Sequence, residues 1–167
     1  MRYIGALLIA AAAVIAGLRK AAEHKNRVKL IFSVINALEL MKNEIVTLRT
    51  PMLEAVYIIE KDKRLSEFCG ELLKYGGAVS EKSFGEIWMD AAADKLSALP
   101  QGCLDAVKNL GTVLGRYDSQ LQSAAIDRCM VILNVAGEEQ SAQLRDRERL
   151  CVGAYGGLGL IAAIILI

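Results

Sequence analysis

The side chains in this sequence best suited to chemistry are its four cysteines. Cys69, Cys103, Cys129 and Cys151 lie far apart, and no C-x-x-C pair is present. Zinc sites and dithiol redox centres draw on such pairs, so the spacing argues against both. We therefore expect the cysteines to be small apolar residues that are buried, and to be reduced if the domain is cytoplasmic.

Acid–base chemistry also has few candidates. His24 is the single histidine and lies in a basic run, where solvent would surround it. Glu138 and Glu139 are adjacent, so on a helix they point about 100° apart and cannot share a proton. The sequence has no G-x-x-x-x-G-K-[ST], no H-E-x-x-H and no G-x-S-x-G motif. It predicts a protein that is not an enzyme and that holds no metal and no cofactor.

Two uncharged apolar segments bracket the chain. Residues 3–18 form a segment of 16, and residues 151–167 form a segment of 17. A helix of the first length spans roughly 24 Å, close to the ~30 Å apolar core of a bilayer. Each segment is predicted to be a transmembrane helix, with membrane lipid as its partner. Two alternatives stay open: a cleaved leader for the first segment and a buried core helix for the second.

Charge patterning gives the expected topology and domains. Eight Lys or Arg residues flank the inner ends of the spans, whereas the outer ends offer Arg2 alone. Since such residues stay on the cytoplasmic side, the middle domain is predicted to be cytoplasmic. Its 19 basic residues balance 19 acidic ones, which argues against a nucleic-acid partner. The predicted domains are a membrane helix over 1–18, a helical bundle over 19–150 and a membrane helix over 151–167.

Apolar residues recur at intervals of three and four throughout the middle domain, which predicts an all-α fold, an antiparallel helical bundle. The first helix should bury one stripe, made of Val28, Ile31, Ile35, Leu38, Ile45 and Leu48. Thr50 is predicted to be the N-cap of the second helix, with Pro51 at its first position. The third helix should stop at the pair Gly76–Gly77.

Capping patterns predict the later helix boundaries. Ser83 and Glu86 have the spacing of a capping box, so the fourth helix should open at Ser83. The fifth helix is predicted to run to Leu114 and to end at Gly115. Asp118 is predicted to cap the last helix, which should run from residue 119 into the second membrane segment.

The junction between the last two helices carries a resemblance to a known family. The pattern is L-G-x-x-D-x-x-x-Q, at Leu114, Gly115, Asp118 and Gln122. Together with the I-G-A-L-L-I start, the basic helix after it, the Thr50–Pro51 break and the apolar end, it resembles stage III sporulation protein AB of endospore-forming bacteria. The resemblance covers essentially the whole chain in order and length.

The resemblance implies a platform-like subunit of the channel that links mother cell and forespore, located in the mother-cell membrane. Members of the family look like half of the inner-membrane platform protein of type II secretion machines. The implied partners are a hexameric secretion-type ATPase and the other membrane subunits of the same complex. The alternatives are a secreted or periplasmic helical binding module and a membrane adaptor outside sporulation.

The junction itself permits two interpretations. One is a structural corner, in which Gly115 ends a helix, Asp118 caps the next and Gln122 lies one turn further on. The other is a contact surface that presents Arg116 and Tyr117 to a partner protein. Both interpretations stay open from the sequence.

Small residues in the apolar segments predict helix packing in the membrane. Gly153 and Gly157 form a GxxxG spacing, and Ala13 and Gly17 form a small-xxx-small spacing. Either spacing lets helix backbones approach closely. The two spans of one chain could pack this way, or the spans of neighbouring copies in a homo-oligomer.

Overall fold

The computed structural model describes the backbone of residues 2–76, 82–116 and 118–166 and the side chains of residues 22–74, 82–116 and 118–144. Its helices are α1 (Arg2–Asn43), α2 (Met52–Ile59), α3 (Ser66–Gly76), α4 (Phe84–Lys95), α5 (Gln101–Leu110) and α6 (Ser119–Leu166). A short π-helical turn, Glu44–Leu48, follows α1. Every regular element in these ranges is helical, so the predicted all-α fold is confirmed.

The chain divides into two compact units. One contains Met1–Lys25 together with Glu138–Ile167, and the other is Asn26–Gly137. In the part of the chain whose side chains are described, no helix combines the length and the apolar character needed to cross a membrane. The predicted spans 3–18 and 151–167 lie outside that part, so the membrane helices and the domain boundaries stay predictions.

The hydrophobic core of the Asn26–Gly137 unit draws on every helix. Its most completely buried large side chains are Trp88, Ile31, Leu38, Met41, Leu65, Leu72, Leu96, Leu114, Ile126 and Leu133. Trp88 joins three helices, because its ring meets Phe68 of α3 edge-on at 4.9 Å and its indole N–H donates to the Val107 carbonyl of α5 at 2.7 Å. Such a bond satisfies the one polar atom of a buried tryptophan.

Helices α1 and α6 meet within the same unit. Lys42 of α1 donates to both carboxylate oxygens of Asp127 of α6, at 2.6 and 2.8 Å. Nearer the end of the unit, Gly137 approaches α1 so closely that an added Cβ would lie 3.3 Å from the side chains of Ile31 and Phe32. A small residue at this point lets the two helices pack closely.

The π-helical turn corrects the predicted stripe of α1. Val28, Ile31, Ile35, Leu38 and Ile45 are buried as predicted. Leu48 is 62% exposed, so its predicted burial is wrong. The wider turn closes with hydrogen bonds from the Arg49 and Thr50 N–H groups to the Glu44 carbonyl. Because a π-turn rotates less per residue than an α-helix, it turns Leu48 away from the core.

The start of α2 differs from the prediction by one residue. Pro51, rather than Thr50, occupies the N-cap position, and its carbonyl accepts from the N–H groups of Glu54 and Ala55 at 3.0 and 3.1 Å. The Thr50 hydroxyl instead donates to the Glu44 carboxylate at 2.8 Å. That hydroxyl therefore stabilises the end of the π-helical turn and leaves α2 without a side-chain cap.

Candidate functional site

The capping box at the start of α4 is present as predicted. The Ser83 N–H donates to the Glu86 carboxylate at 2.7 Å, and the Glu86 N–H donates to the Ser83 hydroxyl oxygen at 3.4 Å. The Ser83 hydroxyl also donates to the Glu86 carboxylate, at 2.7 Å. These hydrogen bonds, the hydroxyl first, lower the pKa of the Glu86 carboxyl group. They fix the backbone at this end of the helix.

A close contact between two glycines sets where α5 leaves the bundle. A Cβ on Gly85 of α4 would overlap the Gly111 carbonyl oxygen, and a Cβ on Gly111 would lie 2.5 Å from the Gly85 carbonyl oxygen. Helix α5 ends at Leu110, so its predicted extension to Leu114 is wrong. The chain passes over Gly85 in a series of turns through residues 111–116 instead.

Gly115 and Arg116 lie in those turns. Gly115 has a φ of +76°, the left-handed conformation that favours glycine, but it lies in a turn beyond the end of α5, so its predicted role as the residue that ends that helix is wrong. Leu114 is fully buried and anchors the turn. Arg116 is exposed, and its guanidinium donates to the Ser83 hydroxyl at 3.4 Å. Its charge also contributes, less than the Ser83 hydrogen bonds do, to the lowered pKa of Glu86.

Asp118 caps α6 as predicted. Its carboxylate accepts from the Leu121 N–H at 2.8 Å, and its carbonyl accepts from the Gln122 N–H at 3.1 Å. Gln122 itself is buried, so its side chain is not presented at the surface. Tyr117 lies outside the described residues, so its predicted contact role stays a prediction.

The structure therefore brings one surface together from two distant segments. We call it the corner: Ser83, Glu86, Gly115, Arg116 and Asp118. The sequence pattern identified the last three residues, but it did not connect Arg116 with Ser83, which is 33 positions away. The contact between Gly85 and Gly111 was also missed. The one signal of this contact in the sequence was Gly85, a glycine just inside a capped helix.

The described cysteines and the paired glutamates differ in burial. Cys69, Cys103 and Cys129 are buried, as predicted. Desolvation raises the pKa of all three thiols, for Cys69 and Cys129 to about 12. Glu138 and Glu139 are exposed, as expected of a solvated face. Among the described residues, no group of three His, Cys, Asp or Glu side chains could hold a metal ion.

The remaining predicted positions belong to the membrane segments. Ala13, Gly17, Gly153 and Gly157 lie in α1 and α6, outside the residues whose side chains are described. Their predicted role in helix packing stays a prediction.

Comparison with known proteins supplies the family. A solved structure described as "Stage III sporulation protein AB (SpoIIIAB)" superposes with a TM-score of 0.60 at 21% identity, covering 72% of this chain and 97% of that one. At that identity the match shows a shared fold. No curated protein matches this sequence. The model of the family "Stage III sporulation protein AB" matches residues 2–167, and the chain therefore belongs to that family.

Proposed function

We propose that this sporulation protein is a non-enzymatic scaffold, the platform of a secretion-like channel between mother cell and forespore. Helices at residues 3–18 and 151–167 anchor it in the mother-cell membrane, and its helical domain lies in the cytoplasm. That domain docks a secretion-type ATPase. The family membership supports the sporulation role, the Lys and Arg residues beside the two apolar segments support the topology, and the corner supports the ATPase contact.

The corner is the observation that carries the docking proposal. Arg116 is a cation exposed on a backbone that is fixed on both sides, by the left-handed turn at Gly115 and by the Asp118 cap. Ser83 holds the guanidinium from a third side. The planar guanidinium of arginine loses little conformational entropy per hydrogen bond when a partner binds it, and arginine is enriched among the residues that dominate protein interfaces.

The chemistry of the domain also favours a scaffold over an enzyme. The described cysteines are buried and protonated at neutral pH. The two carboxylates of the corner, Glu86 and Asp118, are each occupied by a hydrogen bond that caps a helix. The charged group that the corner leaves available to a ligand is the Arg116 guanidinium, which suits an acidic surface on a partner protein.

A pull-down with the full chain tests the proposal. The intact protein serves as bait in detergent extracts of sporulating cells, beside Arg116→Glu and the charge-matched control Lys61→Glu, an exposed residue in the turn after α2. Asp118 is left unchanged because it caps α6. We expect the ATPase to be retained by the intact chain and by the Lys61 variant and lost with the Arg116 variant.

Several results would contradict the proposal. If Arg116→Glu retains the ATPase as well as the control does, the corner is not the contact. If the protein is released from membranes by alkaline carbonate, or if its mature form starts near residue 20, the membrane platform is replaced by a secreted binding module. Retention in the membrane without any bound ATPase would favour an adaptor.

A further inference from the structure

Helix α6 carries two apolar faces within the Asn26–Gly137 unit. The inner face is buried in the bundle and consists of Gln122, Ile126, Cys129 and Leu133. The second face, which we call the outer stripe, is exposed and consists of Leu121, Ala124, Arg128, Val131, Ile132 and Val135. Intervals of three and four residues return each set to one side of the helix.

The exposed apolar side chains of the outer stripe form a row along the helix, unlike single apolar residues scattered over a surface. Leu121, Val131, Ile132 and Val135 are between 46% and 62% exposed. They extend along roughly 21 Å of one helix face, at the rise of an α-helix. Single exposed apolar residues are common, but a row with heptad spacing is typical of a seam that packs against another helix.

A charge in the middle of the outer stripe limits what can cover it. Arg128 is exposed and forms no ion pair with any described side chain. The stripe contains no carboxylate. A helix laid over it would remove the guanidinium from water, and that desolvation is costly unless the arriving helix brings an acidic partner.

A second copy of this chain does not meet that requirement. Two parallel α6 helices in register would place Arg128 against Arg128, which repels. Antiparallel helices centred on the stripe would also place Arg128 against Arg128 of the other copy, because residue 128 is the midpoint of the stripe, and this arrangement repels as well. A covering helix of different sequence, with an acidic residue at this position, avoids the repulsion.

We propose that the outer stripe docks an amphipathic helix of another protein, whose apolar face carries one aspartate or glutamate opposite Arg128. In this helix-in-groove type of recognition, an amphipathic helix binds through apolar residues spaced by three and four positions. The carboxylate sets the register, as a single polar residue does in a coiled-coil seam. The outer stripe shares no residue with the corner, so the inference goes beyond the ATPase contact and does not depend on it.

Two synthetic peptides test the inference on the full chain held in lipid nanodiscs. Both are labelled 21-residue helices with leucine at every seam position, and they differ at the central position, glutamate in one and lysine in the other. Binding is followed by fluorescence anisotropy, with empty nanodiscs subtracted. We expect the glutamate peptide to bind at least tenfold more tightly, Arg128→Glu to reverse the preference, and Ile132→Asp to abolish binding of both peptides.

A matched control distinguishes binding at the outer stripe from non-specific hydrophobic binding. Val46 is 43% exposed and lies outside the stripe, so Val46→Asp should leave both affinities unchanged. Circular dichroism shows that each variant is folded. Equal affinity for the two peptides, absence of binding, or binding insensitive to Ile132→Asp would overturn the inference. A dimer of the full chain that Ile132→Asp dissociates, or vesicle binding that it removes, would assign the stripe to a second copy or to lipid and also overturn it.

Discussion

The contact between Gly85 and Gly111 predicts opposite effects for two alanine substitutions. In Gly85→Ala, the new Cβ would overlap the Gly111 carbonyl oxygen. That neighbour is backbone and cannot rotate aside as a side chain would. In Gly70→Ala, within α3, the new Cβ meets nothing within 4 Å. The two substitutions add the same methyl group to a helix of the same protein, so the difference between their free energies of unfolding measures the effect of the contact.

The expected free-energy changes follow from two terms. Alanine in place of glycine stabilises a helix by up to about 1 kcal/mol, and Gly70→Ala should gain most of that. Extra volume in a packed contact costs about 1–3 kcal/mol, and a rigid backbone neighbour places Gly85→Ala at the upper end. Its net destabilisation should therefore be about 2 kcal/mol.

Urea denaturation followed by circular dichroism measures both free energies of unfolding. The intact chain in detergent provides the reference, and Trp88 provides a second probe because the single tryptophan is buried beside this contact. Changes of the same sign and similar size in the two variants would show that α4 and the α5 exit are not in close contact. The description of the corner, which depends on this contact, would then also be wrong.

Four further predictions concern single residues. Gly115→Ala should destabilise the fold by about 1–2 kcal/mol in the same assay, because φ at this position is +76°, and Gly115→Asn should cost less. Arg49 has a φ of 53°, so Arg49→Gly should stabilise the fold by about 1 kcal/mol; a loss would refute this. Two hydrogen bonds lower the pKa of the Asp62 carboxyl group below its ordinary 3.8: the bond from the Arg64 N–H has the larger effect, and the bond from the Ser33 hydroxyl has the smaller one. The contribution of Asp62 to stability is therefore present above pH 3.8 and is lost as the pH falls through the lowered pKa. Ser33→Ala should raise this pKa in a carboxyl NMR titration, and an unchanged value would exclude the bond. Burial raises the pKa of Cys129 to about 12, so maleimide at pH 8 should label it far more slowly in the folded chain than in urea, as read by mass spectrometry.

The parts of the fold that the sequence predicted are those decided by local chemistry. The capping box of Ser83 and Glu86 and the cap at Asp118 involve residues three apart, and such short-range hydrogen bonds leave a readable spacing. The helical class followed from apolar periodicity for the same reason. The buried cysteines were predictable because no spacing suited them for metal or redox chemistry.

The parts that could not be predicted depend on distant contacts. A π-helical turn has no composition of its own, so nothing marked the rotation that exposes Leu48. The early end of α5 depends on Gly85, 25 positions before Leu110 in the chain. In the candidate site, the pairing of Arg116 with Ser83 was hidden in the same way. The outer stripe of α6 shares its periodicity with the buried face, and only burial distinguishes the two.

The order of helix packing has a consequence for how the domain folds. Helices α2, α3 and α4 each pack on the next helix in sequence, so these contacts are local and can form rapidly. The link between Lys42 and Asp127 joins residues 85 positions apart and closes a long loop. Because N-terminal parts of a chain emerge first during synthesis, the middle helices can assemble before α6 is complete. Arrival of α6 would then be the slow step, and a truncated chain lacking it would keep a collapsed but unclosed bundle.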